Sequence, residues 1–312
     1  MTLVYKAKWT KLISDLNKQK YLFLMFMPAV VLIFVFSYIP MYGILLAFKE
    51  YIPDPGGSLL GKGEWVGLKY VLQIFSFKGV GTAIKNTIMY SLLSIVFIFP
   101  APIVLALLFS ELMNMRFKKI VQSVSYLPHF LSWVVVAGIV RTLLSPSIGL
   151  YGVIADLFGF EKVVLLTKQA PFIITIVLSN IWKVVGWSSV LYMAVIAGID
   201  IQLYESASID GATRFQKIRY ITLPGLVPIL SINVILMSGS LLSSNFDQIF
   251  NLMNPLVMDV ADVIDTYIFR IGVEQFDYSF ATALSFVRTI ISVIFIVITN
   301  YSVKRYSEFS LW

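Results

Sequence analysis

The sequence contains no cysteine, a single histidine and few charged residues. Without cysteine the 312-residue chain has no disulfide framework or thiol nucleophile, and one histidine excludes a multi-histidine metal centre. Charged residues make up 13% of the chain, about half of what soluble proteins carry, whereas 58% are hydrophobic. These deficits exclude a disordered chain, a nucleic-acid-binding module and an ordinary soluble enzyme. What remains is an all-α membrane protein that crosses the bilayer several times.

Six apolar stretches predict six transmembrane helices, since a helix needs about 20 residues to cross the bilayer core. They cover residues 21–46, 84–109, 127–144, 172–199, 225–245 and 281–303. The third is the weakest, because it is short and contains Arg141. We expect Arg141 and Arg288 to lie near the membrane surfaces and to extend their charged groups towards water.

Residues 1–20 predict an amphipathic helix in the cytoplasmic interface, ahead of a transmembrane domain over residues 21–312. Its apolar residues follow helical spacing and lysines occupy the other face: Trp9, Leu12, Ile13 and Leu16. A solvated basic tail is the alternative interpretation.

The distribution of lysine and arginine predicts the orientation of the chain. With both termini inside, the inner segments hold 13 basic residues and the longer outer segments hold 7. The positive-inside rule therefore predicts that both termini are cytoplasmic.

One apparent nucleotide-binding motif does not match the full pattern of its class. Gly56, Gly61 and Lys62 match the spacing of a phosphate-binding loop, but Gly63 stands where a serine or threonine should hold magnesium. The segment also lies outside the cell in the predicted topology. If ATP drives this protein, another chain must bind it.

The most informative segment is the predicted cytoplasmic loop 200–224. It is long enough for two short helices with a break at Gly211, and Asp210 and Arg214 have the spacing of an ion pair on one helix. A modest apolar face comes from Leu203, Ala207 and Phe215. From these residues alone, a docking element and a plain amphipathic connector are equally good interpretations.

The loop resembles the signature of the membrane subunits of binding-protein-dependent ABC importers. That pattern is E-A-A, three residues, G, nine residues and I-x-L-P, and here it runs from Glu205 through Gly211 to Pro224, with Ser206 in place of the first alanine. Further segments resemble the LplB-type sugar permeases of the maltose-transporter-like group. These are YIPMYG at 38–43, SYLPHF at 125–130, SWVV at 132–135, Trp182-Lys183, Gly186-Trp187, ADVIDTY at 261–267 and SLW at 310–312.

The resemblance implies a six-helix permease with short cytoplasmic coupling helices and several partner chains. The partners would be a second permease, two ATP-binding subunits that hold ATP and magnesium, and an extracellular solute-binding lipoprotein. Glu205, Ala207 and Gly211 would lie in the groove of the ATP-binding subunit. The full set of candidate coupling residues is Glu205, Ala207, Asp210, Gly211, Arg214 and Phe215.

The predicted fourth span suggests a translocation path. Charges inside membranes are costly and tend to be functional or paired, and Lys183 lies near the middle of this span. Helical spacing places Asn180, Lys183, Trp187 and Ser188 on one face. Hydrogen-bonding groups beside an aromatic ring suit a hydroxyl-rich sugar. Alternatively, Lys183 and Asn180 contact the partner permease and never meet the substrate.

Asn233 lies on one side of the predicted fifth span with Ser240 and Ser244. It is a further candidate for the path. Asparagine and serine also commonly join membrane helices, and that interpretation is the stronger one here.

We therefore expect the permease subunit of a carbohydrate ABC importer in the plasma membrane of a Gram-positive bacterium. The chain itself would be no enzyme, would hold no metal or cofactor and would bind no nucleic acid. The alternatives are a secondary carrier or channel that works without ATP, and a non-transporting membrane scaffold. Few ionisable residues in the spans suit proton or ion coupling, which disfavours the carrier.

Overall fold

The computed structural model describes residues 19–54, 56–57, 60–243 and 246–306, which form helices, turns and one isolated β-bridge between Lys49 and Trp65. The interfacial helix predicted for residues 1–20 lies outside the described residues, apart from its last two positions. The closing motif at 310–312 lies outside them as well.

Within the described residues, five helices are long and apolar enough to cross a membrane and a bent pair of helices can form a sixth crossing, and we number these regions as spans 1 to 6. Five are continuous: span 1 (Lys20–Phe48), span 2 (Lys78–Ser110), span 4 (Gln169–Ala197), span 5 (Arg214–Ser240) and span 6 (Tyr278–Arg305). Span 3 is a bent pair of helices, Met115–Phe130 and Trp133–Leu143. Each region overlaps one of the six predicted stretches.

In the part of the chain that the structure describes, six shorter α-helices connect the spans. They are α1 (Lys69–Gln73), α2 (Leu150–Phe158), α3 (Ile201–Ile209), α4 (Phe246–Leu252), α5 (Met258–Ala261) and α6 (Ile264–Phe269). Helix α3 joins spans 4 and 5, and α4 to α6 fold between spans 5 and 6.

The predicted third span, residues 127–144, is not one straight helix: span 3 bends by 107° between Phe130 and Trp133. A short 3-10 turn containing Pro128 ends the first half, and Leu131 is extended. Ser132 then begins the second half, its hydroxyl accepting a hydrogen bond from the amide of Val135. The first half is amphipathic and carries Arg116, Lys118 and Lys119, whereas the second half is apolar. The break lies inside the predicted apolar stretch, so hydrophobicity alone does not reveal it.

Three spans contain a π-helical turn just before a proline. The turns and prolines are Phe34–Tyr38 with Pro40, Ser94–Ile98 with Pro100, and Ile218–Thr222 with Pro224. Proline has no amide hydrogen and its ring clashes with the carbonyl four residues earlier, which is the middle residue of each turn. The wider turn accommodates that carbonyl. Pro28 and Pro228 lie in helical turns without this widening, so proline alone does not specify it.

Packing within the chain is concentrated in spans 2 to 6. Span 4 packs along span 2, span 5 packs along span 6, and the last turns of span 1 pack on span 6. By contrast, no residue of Lys20–Ile33 is buried. The first half of span 1 therefore presents its apolar surface to the surroundings of the chain.

Spans 3 and 4 approach most closely at Gly186. A Cβ atom at this position would lie 2.0 Å from the carbonyl oxygen of Ser125, so only glycine fits without moving a backbone. Small residues permit such close contacts between membrane helices.

We expect Gly186→Ala to lower the free energy of unfolding by about 1–3 kcal/mol, because the methyl group overpacks this crossing. The midpoint of thermal unfolding in detergent measures the effect. Gly138→Ala is the matched control, since a Cβ at Gly138 in span 3 meets no atom within 4 Å. Equal midpoints for the two variants would contradict the prediction.

Candidate coupling loop and translocation path

The loop between spans 4 and 5 contains two helices separated at Gly211. Helix α3 begins at Asp200, whose carboxylate accepts from the amide of Gln202 at 2.9 Å. It ends in a Schellman motif: the amide of Ala212 donates to Ala207 O at 2.8 Å, and the amide of Gly211 donates to Ser208 O. Gly211 has φ +75°, a conformation that favours glycine. The structure thus has the break where the sequence predicts it.

The second helix of the loop continues directly into the membrane. Thr213 and Gln216 form a capping box at the start of the short helix Arg214–Lys217. The π turn Ile218–Thr222 follows and leads into the rest of span 5. A displacement of this part of the loop therefore acts on span 5 without an intervening linker.

The predicted ion pair between Asp210 and Arg214 is wrong. The chain reverses at Gly211 between the two residues, so they do not share a helix. The Arg214 Nε atom instead lies 3.9 Å from a carboxylate oxygen of Glu111, at the end of span 2. Both side chains are largely exposed, and a pair of this kind contributes little to stability.

An apolar surface on the loop is open to contact from another chain. Ile209 and Phe215 are 86% and 70% exposed, and Leu203 is exposed as well. We call these three residues the coupling surface. Exposed neighbours around it are Glu205, Asp210, Gly211 and Arg214, whereas Ala207 is partly buried. Exposed apolar patches with polar rims mark sites of protein contact. The sequence does not single out Ile209, because no apolar periodicity marks its side of α3.

Asn180 of span 4 belongs to a buried polar network. Its Nδ2 atom donates to Gln248 Oε1 at 2.9 Å, and Gln248 Nε2 donates to Ser179 Oγ and to the carbonyl oxygen of Ile176. Gln248 comes from α4, which folds back against span 4. Nothing in the sequence points to Gln248, because it lies in a segment predicted to be an outer loop.

Lys183 forms its hydrogen bonds within this chain, at the break in span 3. Its ammonium group donates to the carbonyl oxygens of His129 (2.9 Å) and Leu131 (2.6 Å) and lies 5.4 Å from the Trp133 ring centroid. The break leaves these carbonyls without helical partners, and the buried cation satisfies them. Lys183 therefore holds the bend of span 3 against span 4.

Trp187, Ser188 and Asn233 come together in the wall of one cavity of about 510 Å³ between spans 2, 4 and 5. Trp187 stacks on His129, with 4.9 Å between ring centroids and 8° between the planes, yet remains half exposed. Asn233 donates weakly to the Tyr192 hydroxyl at 3.4 Å. Lys183 does not line this cavity.

A second cavity adjoins the first, and a third adjoins the second. A cavity of about 170 Å³, lined in part by Asn180, shares Ile98, Met237 and Ser240 with it. A third, of about 620 Å³, shares Ser243 with the second. A row of partly polar cavities thus follows span 5 and continues past its C-terminal end.

The two arginines expected to extend towards water have partners in the chain. Arg288 of span 6 forms an ion pair with Asp265 of α6 in the wall of the third cavity. Arg141 donates to the carbonyl oxygen of Asn251 at 2.5 Å. Each arginine joins a span to the folded segment between spans 5 and 6.

The six spans, the row of cavities and the exposed loop define an α-helical membrane transport protein. Over 97% of its length, the chain is 37% identical to the polygalacturonan/rhamnogalacturonan transport system permease protein YteP of Bacillus subtilis, covering 94% of that protein. It is 34% identical to the protein LplB of Bacillus subtilis, over 96% of the chain and 93% of LplB. No family model matches the chain.

A solved structure agrees with these relatives. A chain of a bacterial ABC transporter involved in the import of the acidic polysaccharide alginate superposes with a TM-score of 0.87 at 37% identity, over 95% of this chain and 99% of that one. A second structure shows a bacterial alginate ABC transporter in complex with an alginate pentasaccharide-bound periplasmic protein, with a TM-score of 0.87 at 36% identity, over 96% of this chain and 99% of that one. The chain belongs to the permease subunits of carbohydrate ABC importers.

Proposed function

We propose that this permease imports oligosaccharides that contain uronic acid residues, driven by ATP hydrolysis on two partner subunits. A second permease would complete the membrane path, and an extracellular solute-binding lipoprotein would deliver the substrate. The substrate class is supported by the relatives, since alginate and polygalacturonan are both polymers of uronic acids. The coupling loop is the observation that carries the ATP-driven mechanism.

The coupling surface would bind a groove on an ATP-binding subunit. Leu203, Ile209 and Phe215 supply apolar contacts, and Glu205, Asp210, Gly211 and Arg214 surround them. Closure of the ATP-binding subunits would then move α3 as a rigid body. Both chain termini would be cytoplasmic, on the same side as these subunits, and the chain itself would catalyse no reaction.

The experiment is reconstitution of the importer in proteoliposomes with its binding protein. We expect uptake of labelled trigalacturonate that requires ATP on the side of the ATP-binding subunits. Uptake of the same sugar by this chain alone, without ATP, would identify a secondary carrier instead. ATP-driven uptake of maltotriose but not of trigalacturonate would overturn the proposed substrate class.

We propose further that the row of cavities forms this subunit's wall of the translocation path. Trp187 offers a half-exposed ring for the CH face of a sugar, and Ser188 and Asn233 offer hydrogen bonds beside it. Asn180 lines the next cavity. Lys183 supports the path indirectly, because it fixes the bend in span 3 next to Trp187.

We expect Trp187→Ala to reduce the maximal rate of ATP-driven uptake by about 2–10-fold, the effect of losing an aromatic contact of about 0.5–1.5 kcal/mol. Lys183→Ala should instead lower the amount of assembled complex. Trp182→Ala is the control, because Trp182 lies on the same span but lines a separate apolar cavity. Unchanged uptake by assembled complexes carrying Trp187→Ala would place the path elsewhere, and a normal yield of complex with Lys183→Ala would contradict the role given to Lys183.

A further inference from the structure

We propose that the hydrogen bond between Tyr204 and Thr222 is the link that passes movement of the coupling loop into span 5. Tyr204 would be a positioning residue, which acts on the path through Thr222 without touching the substrate. The inference rests on the proposed role of the loop as the docking site of an ATP-binding subunit.

The bond connects α3 to the N-terminal part of span 5. The Tyr204 hydroxyl on α3 lies 2.9 Å from Thr222 Oγ1, and 18 residues separate the two in sequence. Tyr204 is partly buried, unlike the exposed residues that precede and follow it on α3. Thr222 is 3% exposed, so water competes little for this bond. Helix α3 therefore presents one side to a partner and fixes the other to the membrane domain.

Two other contacts bring the same parts of the chain together, but neither can replace this bond. Lys217 Nζ donates to Ser208 Oγ at 2.7 Å, but both groups are in an exposed part of the loop. Ile199 lies so close to Gly225 that a Cβ at Gly225 would be 2.6 Å from its Cδ1 atom. That contact is apolar, so it limits how closely the two residues approach but does not fix their relative orientation. The Tyr204 bond is both directional and shielded.

Thr222 is well placed to transmit a displacement. It is the last residue of the π turn Ile218–Thr222, and Pro224 leaves the carbonyl of Tyr220 without its usual helical donor. A turn of this kind deforms more readily than a regular helix, and π turns are frequent at functional sites. Further along span 5, Asn233 and Ser240 line the cavities. Rotation of α3 would thus reach the cavity wall through Thr222.

The test compares Tyr204→Phe, Thr222→Val and the double variant in the reconstituted importer. The measurement is the amount of trigalacturonate imported per ATP hydrolysed. We expect each single variant to lower this ratio at least about threefold while ATP hydrolysis continues. Both substitutions remove the bond between Tyr204 and Thr222, and Thr222→Val also removes the longer hydrogen bond (3.5 Å) that the Thr222 hydroxyl donates to the carbonyl oxygen of Lys217. The double variant should therefore be no worse than Thr222→Val alone.

Matched controls come from span 6. Tyr301→Phe removes a hydroxyl that has no hydrogen-bond partner among the residues that the structure describes. Thr289→Val removes a hydroxyl whose bond among those residues is to the carbonyl oxygen of Ser285 in its own helix. Neither should change the ratio. A merely structural role of Tyr204 would reduce uptake and hydrolysis in proportion and leave the ratio unchanged.

An unchanged ratio in both single variants, or multiplied losses in the double variant, would overturn the proposal. A wild-type complex without ATP-driven uptake would contradict the proposed function itself. This result differs from failure of the Tyr204–Thr222 proposal, which appears only in the variants.

Discussion

Replacing Gly211 with valine is expected to reduce ATP-driven uptake at least about tenfold while the protein still inserts in the membrane. Gly211 has φ +75°, where an ordinary L-residue costs roughly 1–2 kcal/mol and a β-branched one is a clear outlier. A Cβ here would meet no atom within 4 Å, so the penalty lies in the backbone and not in a clash. The chain would escape the strain by giving up the left-handed turn.

Loss of that turn would dismantle the coupling surface. The Schellman motif at Ala212 sets the angle at which Arg214–Lys217 leaves α3, and so places Phe215 relative to Ile209. If residue 211 became helical, α3 would continue and carry Phe215 away. The protein would still insert in the membrane, because the apolar stretches of the spans are unchanged.

Gly211→Asn is the matched control, since asparagine tolerates the left-handed conformation better than other non-glycine residues. We expect the asparagine variant to retain most of its uptake. Membrane content by immunoblotting and co-purification of the ATP-binding subunit complete the measurement. Normal uptake with valine, or equal losses with valine and asparagine, would show that the backbone conformation at residue 211 is not what matters.

The parts of the structure that follow from local sequence could be predicted. Long apolar runs predict the membrane helices, because backbone groups in a bilayer must be satisfied within a helix. The loop break at Gly211 also follows from local chemistry, since glycine is the common residue one position beyond a helix end.

The parts that depend on contacts between distant residues could not be predicted. The bend in span 3 lies inside the predicted stretch 127–144, and the sequence of that stretch alone does not distinguish it from a straight crossing. Lys183 has partners only because that bend exposes the carbonyls of His129 and Leu131. Gln248 meets Asn180 across 68 residues. A polar residue in a span therefore indicates a partner, but the sequence alone does not say whether it is substrate or backbone.

The partner of Arg288 could not be predicted from the sequence either. Its ion pair with Asp265 leads to the largest expected effect on stability. The side chains of Arg288 and Asp265 are 23% and 16% exposed, and Arg288 lies on a membrane span. Removing one partner of a buried pair leaves an uncompensated charge, which typically costs about 3–5 kcal/mol. We therefore expect Arg288→Met to lower the unfolding midpoint in detergent strongly and to reduce the yield of assembled complex.

A second substitution should reverse most of that loss. In the double variant Arg288→Met, Asp265→Leu no charge remains, and apolar replacements of buried pairs are often neutral in stability. Lys162→Met is the control, because its pair with Asp156 is largely exposed and should contribute less than about 1 kcal/mol. If Arg288→Met were no more harmful than Lys162→Met, the pair would not hold α6 to span 6. If the double variant were stable but failed to import trigalacturonate, the charges would serve the adjoining cavity and not the fold alone.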